Sequence, residues 1–256
     1  MSGKKNTLHT LFIVSALTIA GCSSSSSDSP LDTADDLESV ADTDVDAGAP
    51  PDTIADGDTP ASGPDTTETM TFFLTSEGPG DGGNLGGLPG ADAHCANLAE
   101  AAGGLPGQQW RAYLSTTGAD GINAVERIGA GPWTNANGVI VATDPENLLS
   151  EESNITLETA VTQTGEQVNG IGMSPLRHDI LTGTELNGMA STSTADTTCG
   201  NWTSNDLGNA TVGHHDRVGG GSNPTSFSSA HPSSGCSQDD LQATGGDGLF
   251  YCFVQN

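Results

Sequence analysis

Basic residues are almost missing from this sequence. Six Lys and Arg stand against thirty-three Asp and Glu, a formal net charge of −27. Nucleic acid, heparin-like polymers and anionic membrane surfaces are all held through clustered Lys and Arg, so the folded part is not built for any of the three. Long apolar runs are missing too. The most apolar stretch, Leu11 to Ala20, is ten residues, about half the ~20 that a spanning helix needs. No Cys-x-x-Cys occurs, which argues against a structural zinc knuckle. No Gly-x-Ser-x-Gly elbow occurs either, and no serine has a recognisable nucleophile setting. There is no internal repeat. No catalytic residue can be assigned, and the chain is read as a non-enzyme.

What is present begins at the N-terminus. Lys4 and Lys5 precede the short apolar stretch, which ends in Ile19-Ala20-Gly21-Cys22. A basic segment, a short apolar segment and small residues before a cleavage point are the parts of a secretory signal, in the order one needs. The cysteine directly after the small residues reads as a bacterial lipobox. Residues 1–21 are then a signal peptide, and Cys22 is the lipidated (palmitate-type) first residue of the mature chain. Similarity to such signals, with Ser23 rather than aspartate next, implies the outer membrane and possible surface display. Stable anchoring takes more than one acyl chain, which a mature lipoprotein anchor supplies. The membrane is therefore one expected partner, reached through Cys22.

Composition then changes twice. From Ser23 to Thr69 there is no Lys, Arg, aromatic or Cys, and there are thirteen acids between Asp28 and Glu68. Such a segment buries too little apolar surface to offset the entropy of ordering. Residues 22–69 thus read as the lipidated Cys and a disordered acidic linker that holds the domain off the membrane. Residues 70–256 contain ten of the eleven aromatics and twenty acids against four arginines, a net charge near −16. That length suits one domain. Cys95, Cys199, Cys236 and Cys252 fall here. An even number of cysteines outside the cytoplasm implies two disulfides, with three possible pairings.

Within the domain, Thr71 to Ser76, Trp110 to Ser115, Gly138 to Ala142, Arg177 to Thr182, Cys199 to Thr203 and Leu249 to Val254 read as strands from their β-branched and aromatic content. Ala91 to Ala102 reads as a helix. Cys95, Leu98, Ala99 and Ala102 form its apolar stripe, Asp92 charges its first turn, and Gly103-Gly104 ends it. Asn123 to Ile128 reads as a helical turn, and the Gly- and Pro-rich stretch from Glu77 to Gly90 as a loop. The layout is α+β, with long polar loops at 144–176 and 183–235. Loops of that length in a compact domain are functional or pinned.

Several of these segments, taken together, resemble one fold family. They are Gly90-Ala91-Asp92-Ala93-His94-Cys95, Trp110-Arg111-Ala112-Tyr113-Leu114-Ser115 and Arg177-His178-Asp179-Ile180-Leu181-Thr182-Gly183. They continue with Cys199-Gly200-Asn201-Trp202-Thr203, Gly235-Cys236 and Leu249-Phe250-Tyr251-Cys252-Phe253. This series resembles the C-type lectin-like fold, and within it the endostatin-like branch found in bacterial lipoproteins. The resemblance implies an outer disulfide Cys95–Cys252 and an inner one Cys199–Cys236, contributing ~5 and ~4 kcal/mol on the chain-entropy model. It also implies that Trp202 is a core residue. Sugar-binding relatives hold calcium through a Glu-Pro-Asn and a Trp-Asn-Asp triplet. Here Glu185-Leu186-Asn187 lacks the proline, and Thr203-Ser204 separates Trp202 from Asn205-Asp206. Calcium wants such oxygens, so Glu185, Asn187, Asn205 and Asp206, with Trp133, form the candidate ligand-binding set. No cofactor is assigned beyond that opening for calcium.

The histidines are the remaining chemistry. His94, His178, His214, His215 and His231 lie in the domain, and any three that converge are able to form a zinc site. Adjacent residues on a strand point to opposite faces, so His214 and His215 are not expected to share an ion. The bland alternative is hydrogen-bonded structural histidine, and no metal ligand is assigned. The expected function is a lipid-anchored binding module that recognises a glycan or an extracellular protein, with no nucleic acid partner. The alternatives are a structural envelope lipoprotein without a soluble ligand and, behind it, an exported hydrolase.

Overall fold

The computed structural model describes residues 69–256. The expected signal peptide (1–21), the expected lipidation site Cys22 and the expected acidic linker up to residue 68 lie outside the described residues.

The thirteen elements are, in chain order, β1 (Phe72–Leu74), α1 (Gly87–Ala101), β2 (Trp110–Ala112), α2 (Ala124–Arg127), β3 (Trp133–Thr134), β4 (Ile140–Ala142) and α3 (Pro145–Leu149). There follow β5 (Asp179–Leu181), α4 (Cys199–Trp202), β6 (Thr211–His214), β7 (His231–Pro232), α5 (Gln238–Thr244) and β8 (Gly246–Val254). The domain is a mixed α+β fold with two disulfides, Cys95–Cys252 and Cys199–Cys236. Among the described residues no helix is long and apolar enough to cross a membrane.

β8 organises the sheet. It pairs antiparallel with β1 and β2, so Cys252 stands opposite both Phe73 and Ala112. Its first half pairs parallel with β5, which continues antiparallel to β6 and then β7. Side chains alternate along a strand, and both faces of β8 are covered. Phe250, Cys252 and Val254 join a core with Phe73, Trp110, Trp202 and the four cysteines. Leu249, Tyr251 and Phe253 join a second core with Phe72, Tyr113 and Trp133. Each fully buried ring contributes about 2 kcal/mol.

α1 starts four residues before the expected Ala91. Pro89 falls in its first turn, where proline costs no helix hydrogen bond. Its buried stripe is Ala91, Cys95 and Ala99, and Ala102 is exposed. Asp92 therefore sits a turn inside the helix rather than at its start. Its carboxylate accepts from Ala112 N at 2.9 Å and pairs with Arg111 at 3.1 Å and Arg127 at 2.8 Å, which clamps α1 to β2.

Cys199 to Thr203 is not a strand. Cys199, Gly200, Asn201 and Trp202 all have left-handed φ, between 47° and 67°. For residues other than glycine that costs ~1–2 kcal/mol each, and polar contacts hold the turn. Asp196 accepts from Thr198 N and Gly200 N, at 3.0 and 2.9 Å, and Asn201 Oδ1 accepts from Thr117 N at 2.8 Å. The turn seats Trp202 in the core, where its indole N–H donates to Ser115 O at 2.7 Å.

Candidate functional site

Two regions gather the chemistry-bearing residues. The first is a surface groove. Thr184 and Ala190 pair across a narrow turn, closed by Glu185 N to Met189 O and Gly188 N to Glu185 O, both 2.9 Å. Glu185 and Asn187 are exposed at its tip, and Asn187 Oδ1 accepts from Met189 N at 3.0 Å. They line a groove of about 750 Å³ with Thr117, Asn123, Ser191 and Ser193. A second groove of about 760 Å³ shares Thr117 and Ala119 and adds Asp92, Arg111, Asp120 and Arg127.

The other two predicted oxygen donors are not in that lining. Asn205 and Asp206 are exposed, but the Asn205 amide donates to Asp81 Oδ1 at 2.6 Å. Trp133, the fifth member of the predicted set, is not at the surface. It is fully buried, edge-on to Phe253 at 5.2 Å, with its N–H given to Val254 O at 3.3 Å. Packed against the C-terminal strand, it presents no surface to a ligand. The four arginines are all engaged. Arg111 and Arg127 hold Asp92, Arg177 holds Asp247 at 3.0 Å, and Arg217 donates to Ile155 O and Ser153 Oγ at 2.7 and 2.6 Å.

The second region is a buried histidine–carboxylate cluster, assembled by strand register. Asp179 stands opposite His214 across the β5–β6 ladder, and His231 stands opposite Val212 across β6–β7. Three imidazoles converge on one oxygen. His178, His214 and His231 place Nε2 at 3.1, 3.3 and 3.4 Å from Asp179 Oδ1. The donor atoms of His178, Asp179 and His214 all lie within 4.8 Å of one another. The His178 and His214 rings stack at 4.3 Å. Asp179 is 2% exposed, His178 5% and His214 0%, whereas the His231 side chain keeps 20% of its surface in solvent.

The opposite ring nitrogens are each tied to an oxygen. His214 Nδ1 lies 2.8 Å from Pro224 O, His231 Nδ1 3.0 Å from Pro232 O, and His178 Nδ1 3.3 Å from Asp216 Oδ1. Asp216 also accepts from Ile171 N at 2.7 Å and Val218 N at 3.2 Å. Burial pushes the Asp216 carboxyl up, but these hydrogen bonds outweigh it and hold it down at about 2. His215 contacts Asn169 O rather than Asp179, so the two adjacent histidines do diverge. Burial pushes the His215 imidazole down to about 4.

Glycines make room for the rings. A Cβ on Gly219 would sit 2.6 Å from His214 Cε1, and one on Gly245 would sit 3.1 Å from His178 Cδ2. The convergence itself is a tertiary fact, absent from any spacing. The available signal was the double occurrence of His-Asp, at His178-Asp179 and His215-Asp216, in a chain with so few histidines. No protein-family model matches this chain, and no curated protein matches it in sequence.

Proposed function

We propose that this chain is a lipid-anchored binding module of the bacterial envelope, held at the outer membrane through Cys22, whose C-type lectin-like, endostatin-like domain binds a glycan or a protein. The observation that carries the reading is the groove beside Glu185 and Asn187. Its hydroxyls, amides and single carboxylate are the donors and acceptors that polar recognition uses. The arginines spent on internal partners leave no cationic patch to draw a polyanion. The disulfides and the left-handed turn fix the loops that border the groove, which limits the ordering cost of binding. Binding, rather than turnover, is the role such a surface supports.

The test is a glycan array together with a pull-down from extracellular matrix proteins, using the full secreted chain. Wild type is expected to capture a discrete ligand, and the Glu185→Ala/Asn187→Ala double variant to lose at least tenfold in affinity while keeping its melting temperature. A folded wild type that captures nothing on both would overturn the reading and favour a structural envelope lipoprotein. Loss of labelled-palmitate incorporation in Cys22→Ser checks the anchor separately.

A further inference from the structure

We infer that His178, Asp179 and His214, completed by His231, form a binding site for a tetrahedrally coordinated divalent metal, zinc above all. This site is separate from the groove and does not depend on what the groove binds.

The argument begins with tautomers. Proline carbonyls only accept hydrogen bonds, and so does an ionised carboxylate. Nδ1 of His214, His231 and His178 must therefore carry the proton that each gives to Pro224 O, Pro232 O and Asp216 Oδ1. In the neutral imidazoles, Nε2 is then a lone pair on all three rings. All three Nε2 atoms lie within 3.4 Å of Asp179 Oδ1, itself an acceptor. Four electron-rich atoms meeting in a buried place repel one another unless a positive charge lies between them.

The remaining geometry agrees. Asp179 Oδ1, Asp179 Oδ2 and His214 Nε2 are buried and make no hydrogen bond, although Asp179 is 2% exposed and His214 0%. The close contacts are at angles that miss a hydrogen bond. A zinc ion with bonds of ~2.0–2.1 Å spaces tetrahedral ligands ~3.3–3.4 Å apart, and within the set of three the two N···O distances are 3.1 and 3.3 Å. The outer ring contacts follow the carboxylate–histidine–metal pattern, in which a second oxygen fixes each ligating ring. Charge balance points the same way. Asp179 and Asp216 bring two negative charges into the cluster, and the neighbouring Arg177 and Arg217 are turned to other partners. A divalent cation neutralises the pair. His231 Nε2 is 3.4 Å from Asp179 Oδ1 but outside the 4.8 Å set, so its partly exposed ring shifts inward to take the fourth position.

The experiment is metal analysis of the full secreted chain, stripped with chelator and dialysed against zinc, then repeated with cobalt for its ligand-field absorption. Expected results are one zinc per chain, a higher melting temperature with zinc than with chelator, and a tetrahedral cobalt spectrum. Calcium and magnesium should leave the melt unchanged. Asp179→Asn and His231→Gln should each lower affinity at least tenfold. His231 is at the edge, so its variant folds even where an Asp179 change does not. No zinc uptake by the folded wild type overturns the inference. So does uptake that both variants leave unchanged, which would locate the ion elsewhere.

Discussion

His214 Nε2 lies 3.3 Å from Asp179 Oδ1, directly across the β5–β6 ladder, yet the two make no hydrogen bond. Both are sealed from solvent. An unmade bond between two buried polar atoms is costly, so the pair points to a third participant. That single relationship separates a metal centre from a set of hydrogen-bonded structural histidines.

Asp216 orients His178 without reaching Asp179. Asp216→Asn keeps the shape and the contact to Ile171 N but weakens the hold on the Nδ1 proton. Zinc affinity is expected to fall ~10–100-fold, read by competition against a chromogenic chelator. An unchanged affinity would remove Asp216 from the second layer of the site.

The inner disulfide pins the left-handed turn that carries Trp202. Replacing both Cys199 and Cys236 with serine should cost ~2–5 kcal/mol, measured by urea unfolding of the full chain. A loss under ~1 kcal/mol would mean that the polar contacts around Asp196 hold the turn unaided.

Trp133 is a packing residue in this structure. Trp133→Ala should destabilise by ~3–5 kcal/mol, while affinity per folded molecule at the groove stays within twofold. A normal melt with lost binding would return Trp133 to the ligand surface.

Asp92 is the joint between α1 and β2. Asp92→Ala strands Arg127, whose side chain is 10% exposed, and should cost about 3 kcal/mol. Thermal melts at low and high salt check this, and a change below ~0.5 kcal/mol would reduce the clamp to a surface pair.

Much of the scaffold was legible in the sequence. Phe72-Phe73-Leu74, Trp110-Arg111-Ala112 and Leu249 to Val254 are dense in aromatic and branched side chains, and each became a strand where expected. The cysteine pairing followed from a family resemblance, because spacing left three choices. Other features were lost to conflicting local signals. Cys199 to Thr203 looked strand-like, but Gly200-Asn201 tolerates left-handed φ and the neighbouring polar groups exploit that. α3 and α5 fall outside the expected helices, although Asp144-Pro145 and Ser237-x-x-Asp240 are helix-start signals and both cap side chains accept from the third residue on. The histidine site was invisible for a different reason. Its members lie 53 residues apart from His178 to His231, and only the β5–β6–β7 register brings them together.

The most direct measurement is anomalous diffraction at the zinc edge from crystals of the full chain grown with zinc. One peak is expected within bonding distance of the Asp179 carboxylate and the Nε2 atoms of His178, His214 and His231. Well-ordered density for the four side chains with no anomalous peak between them would contradict it.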